Sequence, residues 1–226
     1  MLDNTVNIDR SVTPTRIDFA QVFNVAVPFI DRHLEEGRGE KVAVRAEAGD
    51  VTFGELAENV NRCGNALIAL GLSHGDRVLM VVKDCAEFFY AFWGAIKAGF
   101  VPAPLNTLLR ARDYAYMIEN SDAAAVLYSA EFAGEVEPAL AQAKHKPTHV
   151  LLVSGEGDTL EARAAGASVE LNPAAATAED DCFWLFSSGS TGLPKAAIHA
   201  HQDMVVTSQL YGEDVLGVGK DDVCFS

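Results

Sequence analysis

Apolar and polar positions along the chain alternate between short continuous runs and longer stretches with a helical repeat. Three apolar runs have strand length, at residues 77–82, 123–128 and 149–153. Continuous runs of this kind are typical of parallel strands that are covered on both faces. Between them, apolar residues recur every three or four positions, as on the buried face of a helix. The pattern predicts βαβ units and an α/β fold: a mostly parallel, doubly wound sheet with helices on both faces.

The helix that follows residue 52 has the clearest start. Thr52-Phe-Gly-Glu55 has the spacing of a capping box, in which each polar side chain bonds a backbone N–H of the first turn. Apolar residues then recur to Leu70, and Gly71 supplies a stop. Further helices are predicted over residues 86–98, 113–120 and 131–143. Residues 19–34 predict a short helix pair that is interrupted at Pro28.

Changes in composition divide the chain into three predicted parts. Residues 1–18 are polar and predict an extended arm, and residues 19–178 predict an N-terminal α/β subdomain. The last stretch of that subdomain, 155–178, is rich in Ala and Gly with weak periodicity, which predicts a surface connection with a short helix. Residues 179–226 predict the start of a second α/β subdomain. Because Val223-Cys-Phe225 has the pattern of a new strand, we expect the second subdomain to be truncated.

The charge balance argues against a nucleic-acid partner. The 226 residues include 17 Lys and Arg against 32 Asp and Glu, a net charge of −15. Proteins that bind nucleic acid draw much of their affinity from basic side chains at phosphates, and this chain has the opposite balance. A bound nucleotide would therefore need local help from backbone N–H groups, a lysine or Mg²⁺.

Targeting signals and cysteine usage predict a cytoplasmic protein. The N-terminal residues lack the basic and apolar regions of a signal peptide. No apolar stretch reaches the roughly 18 residues of a membrane-spanning helix, so we expect no membrane association. The cysteines are widely spaced and form no Cys-x-x-Cys, which predicts buried, reduced thiols. They are Cys63, Cys85, Cys182 and Cys224.

A loop near the end of the chain carries the most specific chemical signal. The apolar run Phe183-Trp-Leu-Phe186 stops abruptly at hydroxyl residues and glycines, and apolar residues resume after Lys195. Glycines allow a close backbone approach to an anion, consecutive N–H groups form a cationic nest, and lysine adds a mobile charge. The residues that could hold a polyphosphate in this way are Ser188, Gly189, Ser190, Thr191, Gly192 and Lys195.

The spacing excludes other nucleotide and nucleophile motifs. In a Walker loop that starts at Gly189, Pro194 would stand in place of the second Gly and Ala196 in place of the Ser or Thr. A dinucleotide Gly-x-Gly-x-x-Gly and a hydrolase Gly-x-Ser-x-Gly are also absent across Gly189 to Gly192. A flexible Ser/Gly linker is disfavoured by the apolar runs on both sides.

The segment Ser187-Ser-Gly-Ser-Thr-Gly-Leu-Pro-Lys195 resembles the phosphate loop of the adenylate-forming enzymes, which are acyl- and aryl-CoA synthetases, peptide-synthetase adenylation domains and luciferases. Other segments are similar to N-terminal landmarks of that family: Thr52-Phe-Gly-Glu-Leu56, Gly75-Asp-Arg-Val78, Ala95-Ile-Lys-Ala-Gly99 and Pro102-Ala-Pro-Leu-Asn106. Three more are most similar to benzoate- and 4-hydroxybenzoate-CoA ligases: Phe183-Trp-Leu-Phe186, Ile198-His-Ala-His201 and Leu210-Tyr-Gly212. Ala196 departs from the pattern, which usually has Gly there.

The resemblance implies a two-step reaction. ATP and an aromatic carboxylate would form an acyl-adenylate and pyrophosphate with Mg²⁺, and coenzyme A would then displace AMP to give a thioester. The six loop residues named above would be the ATP and pyrophosphate ligands, at the β- and γ-phosphates. Family members are considerably longer, so catalytic residues and most of the carboxylate pocket are expected beyond Ser226, on a C-terminal remainder that this chain would need as a partner. No catalytic residue is assigned within the chain, and a homodimer is left open.

Two alternatives to the aryl-CoA ligase stay open. One is another adenylate-forming enzyme, such as a fatty acyl-CoA synthetase or an adenylation domain that charges a carrier protein. The other is a non-catalytic nucleotide-binding or interaction module.

Three further groups of residues are weighed as sites. His199 and His201, with Asp203, resemble metal ligands, but a zinc site needs at least three protein ligands and none is assigned. His201 is predicted to begin the helix after the loop strand, near the active site. Tyr211 is predicted to pack. The remaining aromatic group is predicted to be core: Phe88, Phe89, Phe92 and Trp93.

Overall fold

The computed structural model describes residues 1–187 and 192–225. Its strands are β1 Val6–Asp9, β2 Arg16–Phe19, β3 Val42–Ala46, β4 Gly49–Thr52, β5 Arg77–Val81, β6 Val101–Pro104, β7 Ala125–Tyr128, β8 His149–Leu152, β9 Asp181–Ser187 and β10 Lys195–Ala200. Its α-helices are α1 Arg32–Glu35, α2 Phe53–Ala69, α3 Ala86–Lys97, α4 Ala111–Ser121, α5 Ala133–Gln142, α6 Leu160–Ala165 and α7 His201–Thr207. Short helical turns cover Val27–Asp31 and Ser208–Glu213, which are π-type, and Ala130–Phe132, which is 3₁₀.

Four strands between residues 77 and 152 form the predicted parallel sheet. The strand order is β6-β5-β7-β8, and each neighbouring pair is parallel. Helices α3, α4 and α5 connect successive strands, as the alternating pattern predicts. Since β6 lies on one side of β5 and β7 on the other, the direction of winding reverses between them.

Alternate residues of β5 face two separate hydrophobic cores. Val78 and Met80 pack with residues of α2 and α3, whereas Leu79 and Val81 pack with residues of α4 and α5. All four side chains are buried. Because successive side chains of a strand point to opposite faces, a run that is apolar throughout requires cover on both sides. The doubly wound sheet with helices on both faces is therefore confirmed.

The start of α2 confirms the predicted capping box. The Glu55 backbone N–H donates to Thr52 Oγ1 at 3.2 Å, and the Thr52 N–H donates to Glu55 Oε2 at 2.8 Å. Gly71 follows the helix with φ +83°, a conformation that glycine adopts without strain. The helix thus begins and ends where the sequence predicts.

The N-terminal predictions are wrong in part. Residues 1–18 do not form a simple extended arm, because β1 and β2 pair as an antiparallel hairpin whose Val6 and Ile17 pack on the core. The helix predicted from residue 19 begins only at the turn Val27–Asp31, which continues into α1. Pro28 stands in the first turn, where its missing N–H is tolerated, so the proline marks the start of the helix and not a break within it.

The predicted connection over residues 155–178 contains the short helix α6 and lies against α2. Arg62 donates to the carbonyls of Ala165 and Ala167, at 3.1 and 3.0 Å. Asn65 donates to the carbonyls of Ser168 and Glu170, each at 2.9 Å. Polar side chains of α2 therefore bind the backbone of this segment.

The strand predicted at 223–225 is wrong. Val223 and Phe225 are exposed, and no strand is assigned over the described residues 221–225. An apolar triplet forms a strand only when a neighbouring strand supplies its hydrogen bonds. The prediction of buried thiols is confirmed for Cys63 and Cys182, but Cys224 is exposed.

Within the described residues, no helix is both long enough and apolar enough to cross a lipid bilayer.

Candidate functional site

The predicted phosphate loop connects the two strands of an antiparallel hairpin. In the register of β9 and β10, Ser187 pairs with Lys195, and Phe183 pairs with His199. The loop therefore leaves and rejoins the hairpin at neighbouring positions. Ser188, Gly189, Ser190 and Thr191 lie outside the described residues.

Two of the six predicted ligands, Gly192 and Lys195, are among the described residues. Gly192 has φ +110°, and a Cβ added there would meet no atom within 4 Å. The glycine is therefore required by backbone conformation and not by lack of space. Lys195 is exposed and is the first residue of β10. The structure thus leaves this lysine accessible where the loop rejoins the hairpin.

The strand before the loop is less buried than its apolar sequence predicts. Cys182 and Phe183 are buried, but Leu185 is 41% exposed. β9 contacts β6 at the edge of the parallel sheet, and the Arg77 guanidinium lies 5.8 Å from the centre of the Trp184 ring. One face of the hairpin therefore packs on the sheet, through Trp184 and Phe186, and the other face is exposed at Leu185.

His201 begins α7 at the base of the hairpin, as predicted. Its side chain is only 4% exposed, and its Nδ1 accepts from the Val25 backbone N–H at 3.1 Å. Burial is the main cause that lowers the pKa of His201 to about 4, so the ring is neutral near pH 7. The backbone N–H of His201 donates to the Asp180 carbonyl at 3.2 Å.

The predicted metal-like cluster is divided between different contacts. Because His201 Nδ1 accepts from a backbone N–H, that nitrogen is engaged within the fold. His199 Nδ1 lies 3.5 Å from Asp203 Oδ2, which also accepts from the Ala200 N–H at 3.0 Å. Among the described residues, no three His, Cys, Asp or Glu side chains form a group that could hold a metal ion.

A cavity of about 390 Å³ lies beside the hairpin, between β9, β10, α7 and the following turn. Its wall is mainly aromatic and apolar, from Phe29, Phe183, Met204 and Tyr211. Its polar lining residues are His199, Asp203, Thr207 and Ser208. The rings of Phe183 and His199 stack with centroids 4.6 Å apart. Tyr211, which the sequence predicts only to pack, lines this wall and is 57% exposed.

The aromatic group on α3 is core, as predicted. Phe92 and Trp93 are buried, and Phe88 and Phe89 pack against the same core. The Phe92 ring meets Phe183 edge-on, with centroids 5.7 Å apart. This helix therefore supports the wall of the cavity from behind.

A second cavity, of about 400 Å³, lies between α2, α3 and α6 and shares no lining residue with the first. Its lining includes Arg62, Cys63, Glu87, Tyr90 and Glu161. Burial and the two glutamates raise the pKa of the Cys63 thiol to about 12. The acidic surroundings make this cavity unsuited to phosphate groups.

Sequence reasoning missed Phe29 and the cavity beside the hairpin. Phe29 belongs to the turn Val27–Asp31, far along the chain from β10, and tertiary packing brings it to the site. No local pattern could indicate this placement.

Comparison with known proteins identifies the chain's relatives. A benzoate–CoA ligase of Thauera aromatica is 43% identical over 222 residues, which cover 96% of this chain and 42% of that enzyme. Among solved structures, a benzoate CoA ligase from Burkholderia xenovorans LB400 matches with a TM-score of 0.79 at 34% identity. The match covers 88% of this chain and 39% of the ligase chain. The anthranilate CoA ligase AuaEII, in complex with anthranoyl-AMP, matches with a TM-score of 0.85 at 30% identity. That match covers 91% of this chain and 40% of the AuaEII chain.

The chain spans about 40% of the length of these relatives. Residues 30–226 match the family described as AMP-binding enzyme. Since this match includes the capped helix α2, the parallel sheet and the loop-bearing hairpin, the chain belongs to the AMP-binding enzyme family.

Proposed function

We propose that the protein carrying this chain is an ATP-dependent ligase that joins an aromatic carboxylate, benzoate or a hydroxybenzoate, to coenzyme A. The carboxylate attacks the α-phosphate of ATP and releases pyrophosphate, and the thiol of coenzyme A then displaces AMP. The observation that carries the proposal is the hairpin loop from Ser187 to Lys195, in a chain that is 43% identical to a benzoate–CoA ligase.

The loop is proposed to hold the β- and γ-phosphates of ATP. The ligands would be Ser188, Gly189, Ser190, Thr191, Gly192 and Lys195. Donors that are already in place lower a barrier when they face the atoms where charge develops, here the leaving pyrophosphate. The positive φ of Gly192 and the exposure of Lys195 support this role. In a chain of net charge −15, local cationic groups are needed to attract a polyphosphate.

The cavity beside β10 is proposed to form one wall of the site for the aromatic ring. Flat apolar rings bind well against stacked aromatic side chains, and the Phe183–His199 pair offers such a surface. The other walls would come from the part of the relatives' length that this chain does not span. The same part is proposed as the partner that completes the enzyme.

Magnesium would accompany ATP and neutralise its phosphate charge. The described residues offer no group of three ligands for a metal ion, so no Mg²⁺ ligand is assigned in this chain. A cytoplasmic location is proposed because both nucleotide substrates are available there.

The test is ATP–pyrophosphate exchange and thioester formation by the full-length protein. We expect exchange with benzoate or 4-hydroxybenzoate, thioester formation with free coenzyme A, and no thioester from the 226-residue chain alone. Exchange with fatty acids only, or transfer to a carrier protein only, would favour another adenylate-forming enzyme. Nucleotide binding without exchange for any acid would favour a non-catalytic module, and turnover by the isolated chain would contradict the need for a remainder.

A further inference from the structure

The hairpin that carries the loop is anchored at the end opposite the loop. At this base, Cys182 is 1% exposed, whereas Leu185 and Ile198, further towards the loop, are 41% and 55% exposed. Leu185 lies on one face of β9; on the other face Trp184 and Phe186 pack against the second hydrophobic core, and β9 contacts β6. The position of Lys195 therefore depends on this packing together with the way in which the base is held.

The base is held by hydrogen bonds to two distant segments. The His201 N–H donates to the Asp180 carbonyl, and the Gln202 N–H donates to the Ala178 carbonyl at 2.9 Å. On the other side, His201 Nδ1 accepts from the Val25 N–H, across 176 positions of sequence. His201 thus joins the start of α7 to the N-terminal segment by a hydrogen bond.

The segment that His201 contacts is itself fixed to α3 and to the segment that precedes β9. Asn24 is fully buried, and its Nδ2 donates to the carbonyls of Ile96 at 3.1 Å and Ala174 at 3.2 Å. Its Oδ1 accepts from the Ala26 N–H at 3.1 Å. Hydrogen bonds therefore fix residues 24–26 to one another and to the end of α3.

Within the described part of the chain, His201 Nδ1 is the acceptor found for the buried Val25 N–H. A buried N–H without an acceptor destabilises the folded state. The local structure is therefore expected to shift until this N–H finds another acceptor. A shift at the base is transmitted along β10, since the strand continues directly into α7 at His201. Lys195, at the far end of the same strand, would move with it.

We propose that His201 is a positioning residue: by accepting from the Val25 N–H, it holds the loop-bearing hairpin in the orientation that places Lys195 at the phosphates. The inference rests on the proposed function for its effect on ATP. Its structural part, the anchoring of β10, stands independently.

The test compares two substitutions of His201 with a matched control in the full-length protein. His201→Asn keeps an acceptor, Oδ1, the same number of bonds from Cα, whereas His201→Leu fills the space without one. Val205→Ala removes buried apolar volume from the same helix and leaves the Val25 contact intact. The measurements are ATP–pyrophosphate exchange with benzoate and hydrogen–deuterium exchange of the backbone amides of residues 195–200.

For His201→Leu we expect kcat/KM for ATP to fall roughly 10- to 100-fold, as for a small misplacement of a catalytic contact. Amide exchange over residues 195–200 should become faster. His201→Asn should restore both measurements, and Val205→Ala should leave both close to those of the unsubstituted protein.

The inference is overturned if His201→Leu leaves both measurements unchanged, if Val205→Ala has an equal effect, or if a folded His201→Asn protein does not recover. Absence of exchange in the unsubstituted protein with every acid would instead reject the ligase proposal. The amide measurement would then decide alone whether His201 anchors β10.

Discussion

Gly64 on α2 and Gly94 on α3 stand in direct backbone contact where the two helices cross. A Cβ added to Gly94 would lie 2.8 Å from the Gly64 nitrogen and 2.8 Å from the Val60 carbonyl oxygen. Backbone atoms cannot move aside as a flexible side chain can. The close approach of these helices over one face of the sheet therefore depends on the absence of side chains at both positions.

Gly94→Ala should destabilise the protein by about 1–3 kcal/mol, the usual range for overpacking a core. The methyl group would push α3 away from α2 and loosen the core between them. Urea denaturation followed by circular dichroism measures the change. Gly134→Ala is the matched control, because Gly134 lies in α5 with no atom within 4 Å of an added Cβ. That substitution should be neutral or slightly stabilising, and an equal loss in both variants would contradict the explanation.

Lys195→Ala should slow ATP–pyrophosphate exchange in the full-length protein by about 10²-fold, comparable to the loss of one donor from a site that stabilises developing charge. The fold should be unaffected, since Lys195 is exposed. Lys144→Ala removes an exposed lysine from the segment after α5 and should leave exchange unchanged. Unchanged exchange in Lys195→Ala would reject the assigned role.

Gly192→Ala should impair ATP use through backbone strain. At φ +110° an L-residue is strained, at roughly 1–3 kcal/mol, so the loop would change conformation. Gly155→Ala imposes comparable strain at φ +119° in a turn that follows β8. We expect similar losses of stability in a denaturation experiment, but a raised KM for ATP in Gly192→Ala alone. A raised KM in both variants would point to a general effect of stability.

Acid should destabilise the fold through His201. Burial and, to a smaller extent, His74 lower its pKa to about 4 from 6.5, while Asp180 acts in the opposite direction. Between these values the unfolded chain binds a proton on His201 that the folded chain does not, so stability falls as the pH falls from 6.5 towards 4. The full difference corresponds to about 3 kcal/mol.

The free energy of unfolding, measured between pH 7 and pH 4, checks this prediction. His201→Asn, which has no titrating group at this position, should lose less stability over the same interval. An identical pH dependence in both proteins would show that other groups dominate.

The local sequence pattern predicts two kinds of element: those fixed by contacts between residues close in sequence, and those that are buried on all sides. The capping box of Thr52 and Glu55 fixes the start of α2 by contacts only three residues apart. The run at residues 77–82 predicts a central strand, because only a strand with cover on both faces can be apolar throughout.

Features decided by distant partners are not predictable in this way. Whether residues 1–18 form an extended arm or a hairpin depends on the pairing of two short strands. The polar sequence of this segment does not indicate that pairing. The same holds for the unformed strand at 223–225. At the candidate site, Gly192 and Lys195 are recognisable by residue type, whereas Phe29 and Val25 reach the site only through tertiary packing. The two-subdomain boundary at residue 178 stays a prediction.

The strand order described above has a consequence for synthesis on the ribosome. All four parallel strands lie between residues 77 and 152, so the sheet can assemble before the loop-bearing hairpin at 181–200 leaves the exit tunnel. Domains fold as their residues emerge, N-terminal parts first. The nascent hairpin would then meet a preformed surface, with Val25 already in place to receive His201. The hairpin that carries the phosphate loop would thus be oriented during translation, once His201 has emerged.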